Sequence, residues 1–249
     1  MYPYLTLSLI LAALAVIALA FSNSHRPLVA IGGVLMIPFG LFSFEFIPEY
    51  WDPQLIAWWG ITSPEDLLFS TSTGVLACFI AYLPLGRRLR FDLRWRTVLG
   101  RFFFFSALGV GTGYFLDWII PGLDTMTGTL ACAVLIGAIL LIVRRDLWPV
   151  AAWGGLGFSV MYALIGLLGA WLFPAFLADW TPTRLINLEY HGLPASELFW
   201  AAGNGAVWPL LVAHACGCRL ARQPAPAPAP AIMSAGQGDG QPTTSRQRA

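Results

Sequence analysis

Lysine is absent from this sequence, and all 14 basic residues are arginine. A Schiff base on a side-chain amine is therefore excluded, and with it the retinal protein that a set of apolar helices would otherwise invite. Charge is scarce as a whole: Asp, Glu, Lys and Arg together make up 11% of the chain, against 57% hydrophobic residues, with a mean hydropathy of +0.69. A soluble globule with a polar surface does not have this composition, whereas an integral membrane protein does. With a formal net charge of +1 and no separate basic domain, nucleic acid is not an expected partner. Cysteine is limited to four residues. Cys78 and Cys132 fall in apolar runs and read as buried free thiols, while the pair Cys216 and Cys218 stands where acylation or metal capture is conceivable. His25, His191 and His214 are isolated, and there is no dinucleotide fingerprint, haem-ligand pair or Asp-rich diphosphate motif. No cofactor or metal is expected, and a prenyl diphosphate substrate is disfavoured. Only His191 lies near acids, where it is a candidate to assist proton transfer.

What the chain does have is apolar runs of membrane-spanning length, about 20 residues for a helix. Seven stand out, near Tyr4 to Phe21, Leu28 to Ile47, Leu67 to Leu85, Val98 to Ile119, Met126 to Val143, Leu147 to Phe173 and Glu197 to Ala215. The first lacks the basic start of a signal peptide and reads as a retained helix. Threading seven spans puts Arg26, Arg87, Arg88, Arg90, Arg94, Arg96, Arg144, Arg145, Arg219 and Arg222 on one side and Arg184 alone on the other. The positive-inside rule then places the N-terminus outside and the C-terminus in the cytoplasm. The expected fold is an all-α integral membrane protein of seven transmembrane helices. Glycine clusters at Gly109, Gly111 and Gly113 and at Gly154, Gly155 and Gly157 read as points of close helix approach.

Acids gather at the outer helix ends. Glu45, Asp66, Asp117 and Glu197 are set against apolar helix, where a carboxylate costs about 2.5 to 3.5 kcal/mol on insertion scales and usually marks function. Two of them belong to an internal duplication. Sliding the chain by 131 residues aligns Asp66 with Glu197, Phe69 with Trp200, Thr73 with Asn204 and Gly74 with Gly205. Positions i, i+3 and i+7 share a helix face, so each copy carries a stripe of carboxylate, aromatic ring and small polar group. The bland alternative is an acid that complements a helix dipole; two copies in register weigh against it. Ahead of each stripe runs a long aromatic connection with a W-x-P, at Trp51 to Pro53 and Trp180 to Pro182, read as a lid along the membrane or as a plain aromatic belt. The repeat halves cover about 28–96 and 148–220 of a membrane domain spanning 1–222, with extra helices at 4–21 and 98–143. Residues 223–249, rich in Pro, Ala and Gly, are expected to form a disordered cytoplasmic tail.

The stripes suit acid and base chemistry without redox. A carboxyl group in a dry apolar cavity resists ionisation and can protonate an alkene. The resulting carbocation needs electron-rich rings, which Phe69, Trp200 and Trp208 supply at about 1 to 2 kcal/mol each by cation-π attraction.

SPEDLLF from Ser63 to Phe69 and PASELFWAAGNGAVWP from Pro194 to Pro209, supported by EYWDP from Glu49 to Pro53, resemble the lycopene cyclase domain family of non-flavin, integral-membrane carotenoid cyclases. The similarity runs over nearly all of residues 1–220, and members consist of two similar transmembrane halves, here in fused form. The family pattern Pro-x-Glu-Glu-x-x-Phe or Trp implies Glu65, Asp66 and Glu197 as catalytic acids and bases. It departs at Pro64, one place late, and at Ser196, which replaces the first acid of the second half. The resemblance implies an isomerase of the intramolecular-lyase type that converts the ψ ends of lycopene, or of a related acyclic carotenoid, to ionone rings. Substrate contacts are expected from Phe69, Thr73, Trp200, Asn204, Trp208, Trp51 and Trp180. The expected partners are a lipophilic polyene from the bilayer, membrane lipids and, optionally, a second copy of the chain; the expected location is a bacterial inner membrane. The alternatives are a carotenoid hydratase or other membrane terpene cyclase, a small transporter or proton conductor, and a silent partner subunit.

Overall fold

The computed structural model describes residues 2–180, 188–190 and 193–221; Arg184, His191, Arg222 and the tail to 249 lie outside them. Among the described residues the chain forms seven α-helices: α1 (Pro3–Phe21), α2 (Arg26–Gly40), α3 (Pro64–Tyr82), α4 (Trp95–Ile119), α5 (Thr125–Val143), α6 (Trp148–Leu172) and α7 (Ala195–Ala215). Four two-residue strands join loops, β1 (Leu89–Arg90) with β4 (Arg219–Leu220) and β2 (Glu189–Tyr190) with β3 (Leu193–Pro194).

Five of these helices, α1, α3, α4, α5 and α6, are long and apolar enough to cross a membrane. The other two fall short of that length or apolarity, and α2 ends before its expected limit. α2 stops at Gly40 instead of reaching Ile47, because Pro38 within it lacks an N–H and Gly40 follows; residues beyond fold into tight turns. α7 has 21 residues, but Glu197, Asn204 and His214 dilute its apolarity.

The helices alternate between two ends of one bundle. At the first end β1 pairs with β4, His25 Nε2 lies 3.3 Å from the Leu89 carbonyl oxygen, and Arg144 donates to the Cys218 carbonyl. This end carries Arg26, Arg87, Arg88, Arg90, Arg144, Arg145 and Arg219. At the other end the Tyr4 hydroxyl meets Asp66, Tyr114 meets Glu45, Thr125 meets Glu49 and Trp180 meets Glu197.

α2 packs on α3 and α6 on α7, so each half is built on a helix hairpin with its own close approach. A methyl at Gly74 would lie 2.7 Å from the Gly32 carbonyl oxygen, and one at Gly205 would collide with the Gly154 carbonyl. The two glycines aligned by the duplication thus play the same part, and backbones touch where only hydrogen can stand between them. Gly109 and Gly113 of α4 depart from that expectation: little stands near them, and they line a cavity instead. Toward the arginine end Leu28, Val29, Tyr82, Leu147, Val150 and Val212 are fully buried, and a cavity there is lined by Ser22, His25, Val29, Tyr82 and Arg87. The cavity that Asp66 and Glu197 border is at the acidic end.

Candidate active site

Asp66 and Glu197 each occupy the third position of a helix, in α3 and α7. Their settings differ because of the residue in front. Ser63 caps α3, its Oγ accepting from the Asp66 N–H at 3.1 Å, and Asp66 Oδ2 accepts in return from the Ser63 N–H at 2.9 Å and its hydroxyl at 2.8 Å. Pro194 occupies that place before α7 and has neither a hydroxyl nor an N–H, so Glu197 closes no such box. The one-residue shift of proline between the copies therefore has a structural effect: one carboxylate is tied to its own helix and the other is not.

Each acid is also reached by a tyrosine from another helix. Tyr4 of α1 donates to Asp66 Oδ1 at 2.8 Å, and Tyr162 of α6 donates to Glu197 Oε2 at 2.6 Å. Trp180 Nε1 donates to Glu197 Oε1 at 3.2 Å. Between the acids the two stripes face each other. Phe69 and Trp200, aligned by the duplication, stack with ring centroids 5.9 Å apart and an interplanar angle of 26°. Tyr162 meets both rings, at 6.4 Å from Phe69 and 5.3 Å from Trp200, and Tyr4 lies 6.0 Å from Phe69.

These groups line a cavity of about 590 Å³, within the roughly 300–1,000 Å³ of small-molecule sites. Asp66, Phe69, Thr73, Glu197, Trp200, Asn204 and Trp208 all border it, as do Trp51 and Trp180. Thr73 Oγ1 is turned to its own helix, donating to the Phe69 and Ser70 carbonyls at 2.9 and 3.0 Å. Asn204 Nδ2 is buried with no partner among the described residues. Trp208 is chiefly a structural bolt: its Nε1 donates to the Gly32 carbonyl at 3.1 Å and its ring packs edge-on against Phe39 and Phe102.

Both aromatic connections contribute to the roof. Trp51 and Trp180 form a backbone bridge and stack at 5.4 Å with 12° between planes, and Trp51 stands edge-on to Tyr4 at 4.3 Å. Tyr50 is buried beneath, and burial, then the neighbouring Glu197, pushes its hydroxyl well above the ordinary phenol range, so it serves as a neutral hydrogen-bonding group. Glu45, Glu49, Asp117 and Asp124 stand at the rim, and no basic side chain lines the cavity among the described residues.

Glu65 is not brought to this cavity. It is fully buried, with Oε1 accepting from the Ile56 N–H at 2.6 Å and Oε2 without a partner among the described residues. Tyr4, Tyr50 and Tyr162, and the wall that α4 and α5 supply, carry no local sign in the sequence, because their partners lie far away along the chain. Cys216 and Cys218 are buried, which leaves neither open to acylation. No protein-family model, curated protein or solved structure matches the chain.

Proposed function

We propose that this chain is a membrane carotenoid cyclase of the lycopene cyclase domain type, in fused form, that closes the ψ end of an acyclic carotenoid to an ionone ring by acid and base steps. The observation that carries this reading is the pair of helix-start carboxyls, Asp66 and Glu197, set about the facing Phe69 and Trp200 rings in a mainly apolar cavity with an acidic rim. Glu197, free of its own helix, delivers the proton. Addition of that proton to the terminal double bond makes a tertiary cation, which the next double bond along attacks to close the ring. Phe69, Trp200 and Tyr162 stabilise the positive charge through their faces. Asp66, held in place as an acceptor by Tyr4 and Ser63, takes the proton lost from the ring, so atoms and electrons balance with no redox partner. Tyr162 and Trp180 donate to the carboxylate that Glu197 becomes. Proton exchange with water at the acidic rim resets the pair.

All seven helices span the membrane in this reading, with the arginine end in the cytoplasm and the roof outside, in the inner membrane of a bacterium. The exposed Ile56, Trp58 and Trp59 of the roof suit the headgroup layer. A polyene reaches the cavity from the bilayer. One observation favours a second reading: Asn204 Nδ2 and Ser106 Oγ, unpartnered among the described residues, border the cavity and suit a bound water that would turn the same cation into an alcohol.

Expression in a lycopene-accumulating host tests the proposal. Cyclic hydrocarbons support it, hydroxylated products favour the hydratase, and unchanged lycopene with correctly inserted protein overturns both. Glu197→Gln and Asp66→Asn are each expected to lower turnover by about 10²–10⁴-fold.

A further inference from the structure

We propose that the position just before each carboxyl, Glu65 in α3 and Ser196 in α7, is a positioning residue that pins the 46–60 roof over the cavity and transfers no proton. The inference rests on reading the cavity as a polyene site. Successive helix residues point about 100° apart, and here the third position, Asp66 or Glu197, borders the cavity while the second, Glu65 or Ser196, does not. Where Asp66 and Glu197 border the cavity, their neighbours meet the roof. Glu65 Oε1 takes the Ile56 N–H at 2.6 Å, and Ser196 Oγ pairs with the Tyr50 hydroxyl at 2.9 Å. A single connection is thus fastened at two points, one on each half of the molecule.

This arrangement also accounts for a serine where the first copy has an acid. A proton-transfer role would be lost on replacing a carboxyl by a hydroxyl, since serine does not titrate in the working range. An anchoring role survives, provided the partner brings its own polar tip. Ile56 offers only a backbone N–H and needs the reach of a glutamate. Tyr50 spans the gap itself, and a short side chain suffices. Between the anchors the roof sets Trp51 beside Tyr4 and Trp180, so its position bears on substrate capture more than on the chemical step.

Hydrogen exchange of the full chain in nanodiscs, read on the peptide that contains Ile56, is measured alongside steady-state turnover of an acyclic C40 polyene. Glu65→Gln keeps an accepting oxygen and is expected to leave exchange at Ile56 as in the unaltered protein. Glu65→Leu is expected to speed that exchange by about 2- to 12-fold, the worth of one hydrogen bond, and to raise KM by a similar factor with a smaller change in kcat. Ser196→Ala is expected to loosen the roof at Tyr50, Tyr50→Phe, which also removes a hydroxyl from Glu197, to have an effect at least as large, and the double variant to add nothing to Tyr50→Phe. The proposal is overturned if Glu65→Gln cuts kcat by 100-fold or more, as expected of Asp66→Asn, with Ile56 still protected. It is equally overturned if Glu65→Leu leaves exchange at Ile56 unchanged. An unaltered protein that fails to turn over any polyene sinks the cyclase reading alone, because the exchange comparison does not depend on turnover.

Discussion

Tyr162→Phe removes one hydroxyl and keeps the ring that packs on Phe69, Trp200 and Phe158. What it deletes is the 2.6 Å hydrogen bond to Glu197 Oε2. In the proposed reaction negative charge grows on that oxygen as Glu197 releases its proton, so the bond would be stronger in the transition state than before it. Hydrogen bonds to charged groups contribute about 1.5–3 kcal/mol, and at 1.36 kcal/mol per tenfold the expected loss in kcat is about 10- to 150-fold. Glu197 then keeps the longer Trp180 contact at 3.2 Å and the Tyr50 hydroxyl. Tyr4→Phe is the matched comparison. Asp66 loses one donor but retains both groups of Ser63, and a factor of about 2 to 12 is expected, as for an ordinary hydrogen bond. Turnover in proteoliposomes, with products separated by chromatography, measures both, and thermal unfolding checks that the fold persists. Full kcat in Tyr162→Phe, or a larger loss in Tyr4→Phe than in Tyr162→Phe, would refute the assignment of Glu197 as the proton donor.

Ser63→Ala removes the cap of α3 and should cost about 1 kcal/mol in thermal or denaturant unfolding. Gly205→Ala drives a methyl into the Gly154 carbonyl and forces α6 and α7 apart, with an expected loss of about 1–3 kcal/mol, whereas Gly111→Ala, which meets nothing among the described residues, should not lower the melting temperature. Burial pushes the Cys216 thiol up to about 12. Below that value the thiol form dominates, so at pH 8 the thiolate fraction is on the order of 10⁻⁴ and alkylation should be slow until the protein is unfolded, as mass spectrometry after timed labelling would show.

The helices were legible because apolar runs of spanning length have few alternatives. The 131-residue offset also put together residues that share a setting: Phe69 and Trp200, aligned on sequence alone, stack face to face, and Gly74 and Gly205 each mark a backbone contact. The end of α2 was not, although Pro38 and Gly40 supplied the signal, because apolarity continues to Ile47. Glu65 shows a different limit. Motif logic groups it with Asp66, yet Glu65 is turned to the Ile56 N–H and stands outside the cavity, which the spacing alone does not reveal because adjacent helix residues such as Phe69 and Ser70 both line it. The tyrosines had no signal either. Tyr4 and Asp66 are 62 positions apart and Tyr50 and Ser196 are 146 apart, and a phenol within an apolar run gives no hint of which distant acid it will meet. The α4 and α5 wall was hidden for a related reason: glycines that read as contacts between helices instead leave room for a guest.

Trp51 and Trp180 belong to different repeats but are joined both by their rings and by a backbone bridge. The two halves of the ceiling are thereby coupled over one shared cavity. If the proposed function holds, a long polyene with two reactive tips has to present them to that cavity in turn. A product finished at one tip only should therefore accumulate early in the time course.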